Sequence, residues 1–125
     1  MASKRYEAGM KLRRQVLGDE YVDRSVAKRN EFNTDFQEYV TELVWGSIWT
    51  RPGLDLKTRS CVVLSLMIAL GHWNEFRLHV KAAFNNGLTK EDIKEVILQC
   101  TAYCGAPAGN HAMAEAQAVF EQEKL

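Results

Sequence analysis

The chain has 125 residues, 46% of them hydrophobic and 26% charged, which is the make-up of one soluble globular domain, 1–125, large enough to bury a core. Sixteen basic residues balance sixteen acidic ones, and this argues against nucleic acid or an anionic membrane as the main partner, since both select a net basic surface. The opening MASKRYEAGMKLRR lacks the apolar stretch of a secretory signal, and the longest apolar run, Cys61 to Leu70, is interrupted by Ser65 and too short to span a bilayer.

The elements read as helix after helix. Ser3 is placed to cap a first helix ending near Gly18, and a polar stretch, DEYVDRSVAKRN, follows. Thr34 with Gln37 has the spacing of a capping box for a helix carrying Phe36, Val40 and Leu43 and stopping near Gly46. WGSIWTRPGLD then reads as the one long loop. Asp55 is placed to cap the next helix, whose later part, CVVLSLMIAL, is apolar nearly all round and so belongs at the centre of a bundle. Gly71 separates it from a helix over 72–85, closed by Asn85-Asn86-Gly87. Thr89 with Asp92 is a second capping box, with Leu88 set to staple onto Ile93, and that helix ends at Gly105. Pro107 suits the first turn of a last helix. No alternating β-branched run occurs, so the expectation is an all-α, compact bundle of about six helices.

Three constellations bear on function. At 100° per residue, Asn74, Arg77, Lys81 and Asn85 share a solvated side of the predicted helix over 72–85, and His72, Glu75 and His79 fall opposite it. Burying a carboxylate and two imidazoles is costly unless they are paired or used. Glu75 and His79, four residues apart, read as an acid/base pair in which the carboxylate orients the imidazole. A helix-surface ion pair and a subunit interface are the bland alternatives. A metal set of His72, Glu75, His79 and His111 is disfavoured by spacing: a zincin-type helix wants histidines four apart, and a dinuclear bundle wants two Glu-x-x-His motifs. No metal is therefore expected.

Arg59, in the first turns of the apolar helix, and Arg51, in the tryptophan loop, are candidate anion binders, with Arg51 read as solvated. Trp45 and Trp49 fill a core or line a pocket, and His111 is a further pocket candidate. The three cysteines, Cys61, Cys100 and Cys104, are an odd number with no Cys-x-x-Cys pair, which suits small buried hydrophobes in a reducing cytoplasm.

VLGDEYVDRS, WGSIWTRPGLD, LKTRSCVVLSLMIAL and NEFRLHVKAAFNNGLTKEDIKEVILQCTAYCGAPAGNH, spread from about Arg5 to the last helix, together resemble the γ-carboxymuconolactone decarboxylase family. The wider superfamily includes alkylhydroperoxidase-like proteins, whose helix carries Cys-x-x-Cys, three residues and a histidine. Laid on that motif, the cysteines fall on His72 and Glu75 and the histidine on His79. The thiols are absent, so disulfide chemistry is excluded while proton transfer remains. Tyr21 also departs from the family, which commonly has a histidine there, and this puts the surroundings of the site in question rather than the class.

The resemblance implies an alkylhydroperoxidase-like helical fold and a homo-oligomer, commonly a hexamer. It implies cofactor-independent decarboxylation of γ-carboxymuconolactone to the 3-oxoadipate enol-lactone, in the protocatechuate branch of aromatic breakdown (the β-ketoadipate pathway). The substrate would be a small dicarboxylate lactone that serves as its own electron sink. Arg59 would then hold a carboxylate and His79, tuned by Glu75, would deliver the proton, with His72, Trp45, Trp49 and His111 around the substrate. The alternative is a redox-type or structural, metal-binding protein of the same fold.

Overall fold

Ser3 accepts a hydrogen bond from the Tyr6 amide and opens α1, Lys4–Leu17, as a small hydroxyl at that place should. Gly18, at φ 91°, closes it by donating to the Arg14 carbonyl, a left-handed conformation that suits glycine. A computed structural model describes residues 2–125. It continues with α2 (Asp19–Ala27), α3 (Thr34–Val40), a π-helical segment (Thr41–Trp49), α4 (Leu56–Leu70), α5 (Trp73–Asn85), α6 (Lys90–Cys104) and α7 (Ala106–Glu123). Among the described residues there is no strand, so the all-α expectation holds, with seven α-helices rather than about six.

The chain divides into two compact units, Met1–Asp55 and Leu56–Leu125. In the first, α1 packs along the π-helical segment. A Cβ added at Gly9 would strike the Thr41 carbonyl and the Gly46 backbone, and one added at Gly46 would strike the Arg5 carbonyl. The two glycines therefore bring the helices into backbone contact. This corrects two expectations. The polar stretch after Gly18 is helical, as α2. Gly46 does not end the helix of Phe36 and Leu43; the chain runs through it with π winding to Trp49, and the winding ends at Thr50, two residues before Pro52. The expected capping box at Thr34 is not formed either. Asn30 and Asn33 satisfy one another's amides, and the Thr34 hydroxyl donates back to the Asn30 carbonyl.

In the second unit α4 packs on α5, α6 and α7, and α7 closes on α5 and α6. Leu64, Ile68, Phe76, Val80, Ile93, Ile97 and Ala112 form the centre of its core. Local signals succeed here. Gly71 turns the chain at φ 70° and Gly87 at φ 93°, and Thr89 and Asp92 make both bonds of the capping box. Leu88 and Ile93 are buried together, and Pro107 stands in the first turn of α7. A buried bond from Asn86 Nδ2 to Ser60 Oγ, 2.8 Å, ties the end of α5 to α4. The expectation that α4 is buried all round is corrected. Ser60, Leu64 and Ile68 face the core, but Val62, Leu66 and Leu70 are exposed.

Candidate active site

α5 carries the two residues singled out for proton transfer. Its core side is set by Phe76, Val80, Ala82 and Ala83, all buried. His79 lies beside this stripe and is partly buried. Loss of solvation disfavours the imidazolium and pulls His79 down to about 4, so its ring is neutral at pH 7. Glu75, one turn earlier, is exposed. His72 is exposed too and lies outside the helix: it is the residue before α5, with φ −86° and ψ 77°, and its carbonyl accepts from the Phe76 amide.

The buried trio read from periodicity is therefore corrected. The angle calculation is right at His79, where α5 is packed. It fails at the helix start, where Gly71 has just turned the chain and the same face is uncovered.

Arg59 sits in the second turn of α4, partly buried, next to the fully buried Ser60. His111, on α7, is brought to the start of α5 and is already engaged on two sides. Its ring stacks on Trp73 with centroids 4.0 Å apart and planes at 21°. Its Nε2 lies 3.4 Å from Glu115, which also meets Arg77 Nε at 3.4 Å. Arg77, read as merely solvated, thus joins α5 to α7. Trp73 and Glu115 were missed by the sequence reading. The i, i+4 spacing of His111 and Glu115 was the available signal, whereas nothing local announces Trp73.

Trp45 and Trp49 belong to the first unit. They are 5% and 6% exposed and stack on each other at 4.9 Å, so within that unit they fill the interior rather than flank an open pocket. The three thiols, none in a disulfide, line a groove of about 510 Å³ between α4 and α6 together with Leu66, Val96 and Tyr103. Cys104 is exposed and Cys61 intermediate; only Cys100 matches the expectation of burial. The groove contains neither Glu75, His79 nor His111. No three His, Cys, Asp or Glu side chains among the described residues converge as a metal ion requires, which leaves the His72, Glu75, His79 and His111 set without the geometry of a metal site.

This arrangement offers a partly buried neutral imidazole, a carboxylate one turn away on the same helix, and a guanidinium on the neighbouring helix. A neutral imidazole and a carboxylate are groups able to move protons, and a guanidinium is one able to hold an anion. Residues 34–118, α3 to the middle of α7, match the model of the carboxymuconolactone decarboxylase family. The chain belongs to that family.

Two relatives extend the carboxymuconolactone decarboxylase match to nearly the whole chain. The 4-carboxymuconolactone decarboxylase of Acinetobacter baylyi is 47% identical over 117 residues, 94% of this chain and 87% of the relative. The nitrosuccinic acid decarboxylase of Metarhizium robertsii is 43% identical over 108 residues, 86% of this chain and 76% of the relative. A 4-carboxymuconolactone decarboxylase of Pseudomonas putida is 55% identical over 42 residues, 34% of this chain and 88% of the relative.

Proposed function

We propose that this chain is a carboxy-lyase that decarboxylates γ-carboxymuconolactone to the 3-oxoadipate enol-lactone, the step of protocatechuate breakdown that the resemblance implies. The likeness to the Acinetobacter baylyi enzyme, over 94% of the chain, carries this reading. Loss of carbon dioxide leaves an electron pair that passes through the ring double bond into the lactone carbonyl. The substrate thus holds its own electron sink, and the protein has to bind two carboxylates, steady the oxyanion and protonate one carbon.

His79 is the proposed proton carrier. It is neutral in the free chain, and the negative charge of a bound dicarboxylate raises its proton affinity, so the proton arrives with the substrate. Glu75, on the same helix, would orient the ring from its exposed position. Arg59 is proposed for a substrate carboxylate, with His72 at the open start of α5. Trp45 and Trp49 are proposed substrate-site residues on family likeness alone, and His111 would act through Trp73. No cofactor is proposed.

We further propose a homo-oligomer, a hexamer by family likeness, with both units acting as one functional domain. The exposed Val62, Leu66 and Leu70 of α4 supply apolar surface for assembly. No helix among the described residues is long and apolar enough to cross a membrane, and the free thiols support a cytoplasmic location.

A second reading follows from the 43% identity to the nitrosuccinic acid decarboxylase. There the nitro group would take up the electron pair, and the demands on the protein are alike: bind carboxylates, then protonate carbon. The deciding assay offers the purified chain each acid separately and measures carbon dioxide release. Turnover of the lactone is expected. Release from nitrosuccinate alone would transfer the assignment to the second reading, and release from neither would overturn both.

A further inference from the structure

The first unit buries positive charge that its own acids do not neutralise. Arg13, in the middle of α1, is 5% exposed. Its Nη2 donates to Ser25 Oγ at 3.1 Å, while Nε and Nη1 are shut off from solvent without an acceptor. Arg29, just after α2, donates from Nη1 to the Tyr6 hydroxyl at 2.8 Å, and its Nε and Nη2 are likewise buried without an acceptor. The two guanidiniums are close enough to repel: burial first, and the charge of Arg29 after it, push Arg13 below the usual guanidinium range, against the pull of Tyr21. The acids of α2 do not help. Asp19 and Asp23 both take the partly buried Arg14, at 3.1 and 2.8 Å, and Glu20 takes Arg24. Glu38 and Glu42 line a pocket that Tyr6 shares, and neither pairs with a buried arginine.

Burying a guanidinium without a counter-charge is strongly unfavourable. Every polar group in this cluster has hydrogen to give. Arg13 and Arg29 each hold two unused nitrogens, and the hydroxyls of Tyr6 and Ser25, which accept from the arginines, still carry their own protons. A cluster made only of donors around two cations matches an anion with several acceptor oxygens, which paired planar guanidiniums hold through bidentate contacts. We propose that Arg13, Arg29, Tyr6 and Ser25 form a binding site for a carboxylate or other small oxyanion in the first unit. Arg13 is the enclosed floor. Arg29 and Tyr6, both only partly buried, are the side from which the ligand enters, with Tyr6 yielding as it does so. The site stands whatever reaction the chain catalyses.

The test is thermal unfolding and calorimetry of the full chain with succinate, inorganic phosphate and chloride at matched ionic strength. A saturable rise in the unfolding midpoint is expected, about 5 °C at a tenfold excess over the dissociation constant, with one ligand bound per chain. Arg29→Gln, at the accessible edge, should abolish the rise, and Tyr6→Phe should weaken binding about tenfold. Arg13→Met removes the buried charge. If it folds, it should be less dependent on the ligand, and if it does not, the two edge variants still decide. Succinate acting alone identifies an organic acid as the ligand, and phosphate acting equally well identifies an inorganic oxyanion; either result, lost in Arg29→Gln, supports the site. A rise that survives in Arg29→Gln, a response to chloride only, or no response at all would overturn it.

Discussion

The imidazole of His111 lies flat on the indole of Trp73, 4.0 Å between ring centroids, and by this contact α7 holds the first turn of the helix that carries Glu75 and His79. One ring face is covered and Nε2 is turned to Glu115, while the side chain stays about half exposed; the contact supports our proposal that His111 positions α5. His111→Phe keeps the stack and should leave kcat/KM within about threefold of the parent. His111→Ala should lower stability by about 1 kcal/mol, the scale of one aromatic pair, as read from denaturant midpoints. A His111→Phe enzyme with a greatly raised KM and unchanged stability would return His111 to the substrate pocket.

Gly9 and Gly46 make a sharper test of the first unit. In both positions the obstacle to a Cβ is backbone of the facing helix, which has no rotamer to give way. Gly9→Ala and Gly46→Ala should each destabilise by about 1–3 kcal/mol or more, as overpacking does. Gly53→Ala, where an added Cβ meets nothing, is the matched control and should be nearly neutral. Equal midpoints for all three variants would show that α1 and the π-helical segment do not approach as closely as described.

These two glycines also mark what was legible in the sequence and what was not. Where a signal is carried by neighbours in the chain, as in the capping box of Thr89 and Asp92, the reading was right to the residue. Gly46 sent the opposite signal: glycine in a helical run reads as a stop, whereas here it serves contact with Arg5, far away in sequence. π winding compounds the error, because an i→i+5 ladder shifts the faces that a 3.6-residue period assigns. The site was legible in the same measure. Periodicity placed His79 beside the core, since α5 is regular there. It could not show that Glu75 lies on an uncovered turn, or that Trp73 and Glu115 both contact His111, because those facts depend on α7.

Burial of His79 ties stability to pH. The imidazole is held at about 4 against an ordinary value of 6.5, so the unfolded chain binds the proton more readily between those values. Unfolding is then favoured as the pH falls: the contribution is complete above 6.5 and is lost progressively down to about 4. At roughly 1.4 kcal/mol per unit, the depression from 6.5 to about 4 amounts to about 3.5 kcal/mol at most. His79→Asn, neutral at every pH, should flatten that part of the acid limb. Denaturant midpoints measured from pH 7.5 to 4 in both proteins check this. Parallel acid limbs would mean that His79 is solvated.

The same neutral imidazole sets the last expectation, on turnover. To deliver a proton His79 must first gain one, and the dicarboxylate that raises its affinity is the substrate itself. Binding should therefore take up protons near pH 7, visible as a calorimetric heat that changes with the ionisation enthalpy of the buffer. His79→Asn should abolish the uptake and lower kcat by about 10²–10⁴-fold, the worth of a general acid–base group. Glu75→Gln keeps shape and removes charge, and a loss of comparable order is expected if the exposed carboxylate orients the ring; a loss under about threefold would remove Glu75 from the pair. In deuterium oxide the intact enzyme should place one deuterium, in a single configuration, on the carbon beside the lactone carbonyl, because an imidazole fixed on α5 reaches it from one side. The product has to be trapped early, since that carbon is acidic and exchanges on standing. Residual product from His79→Asn should carry an eroded label as water takes over. A racemic label from the intact enzyme at the earliest times would mean that solvent protonates a released dienolate, and His79 would then be left with the oxyanion, as the donor of a neutral N–H.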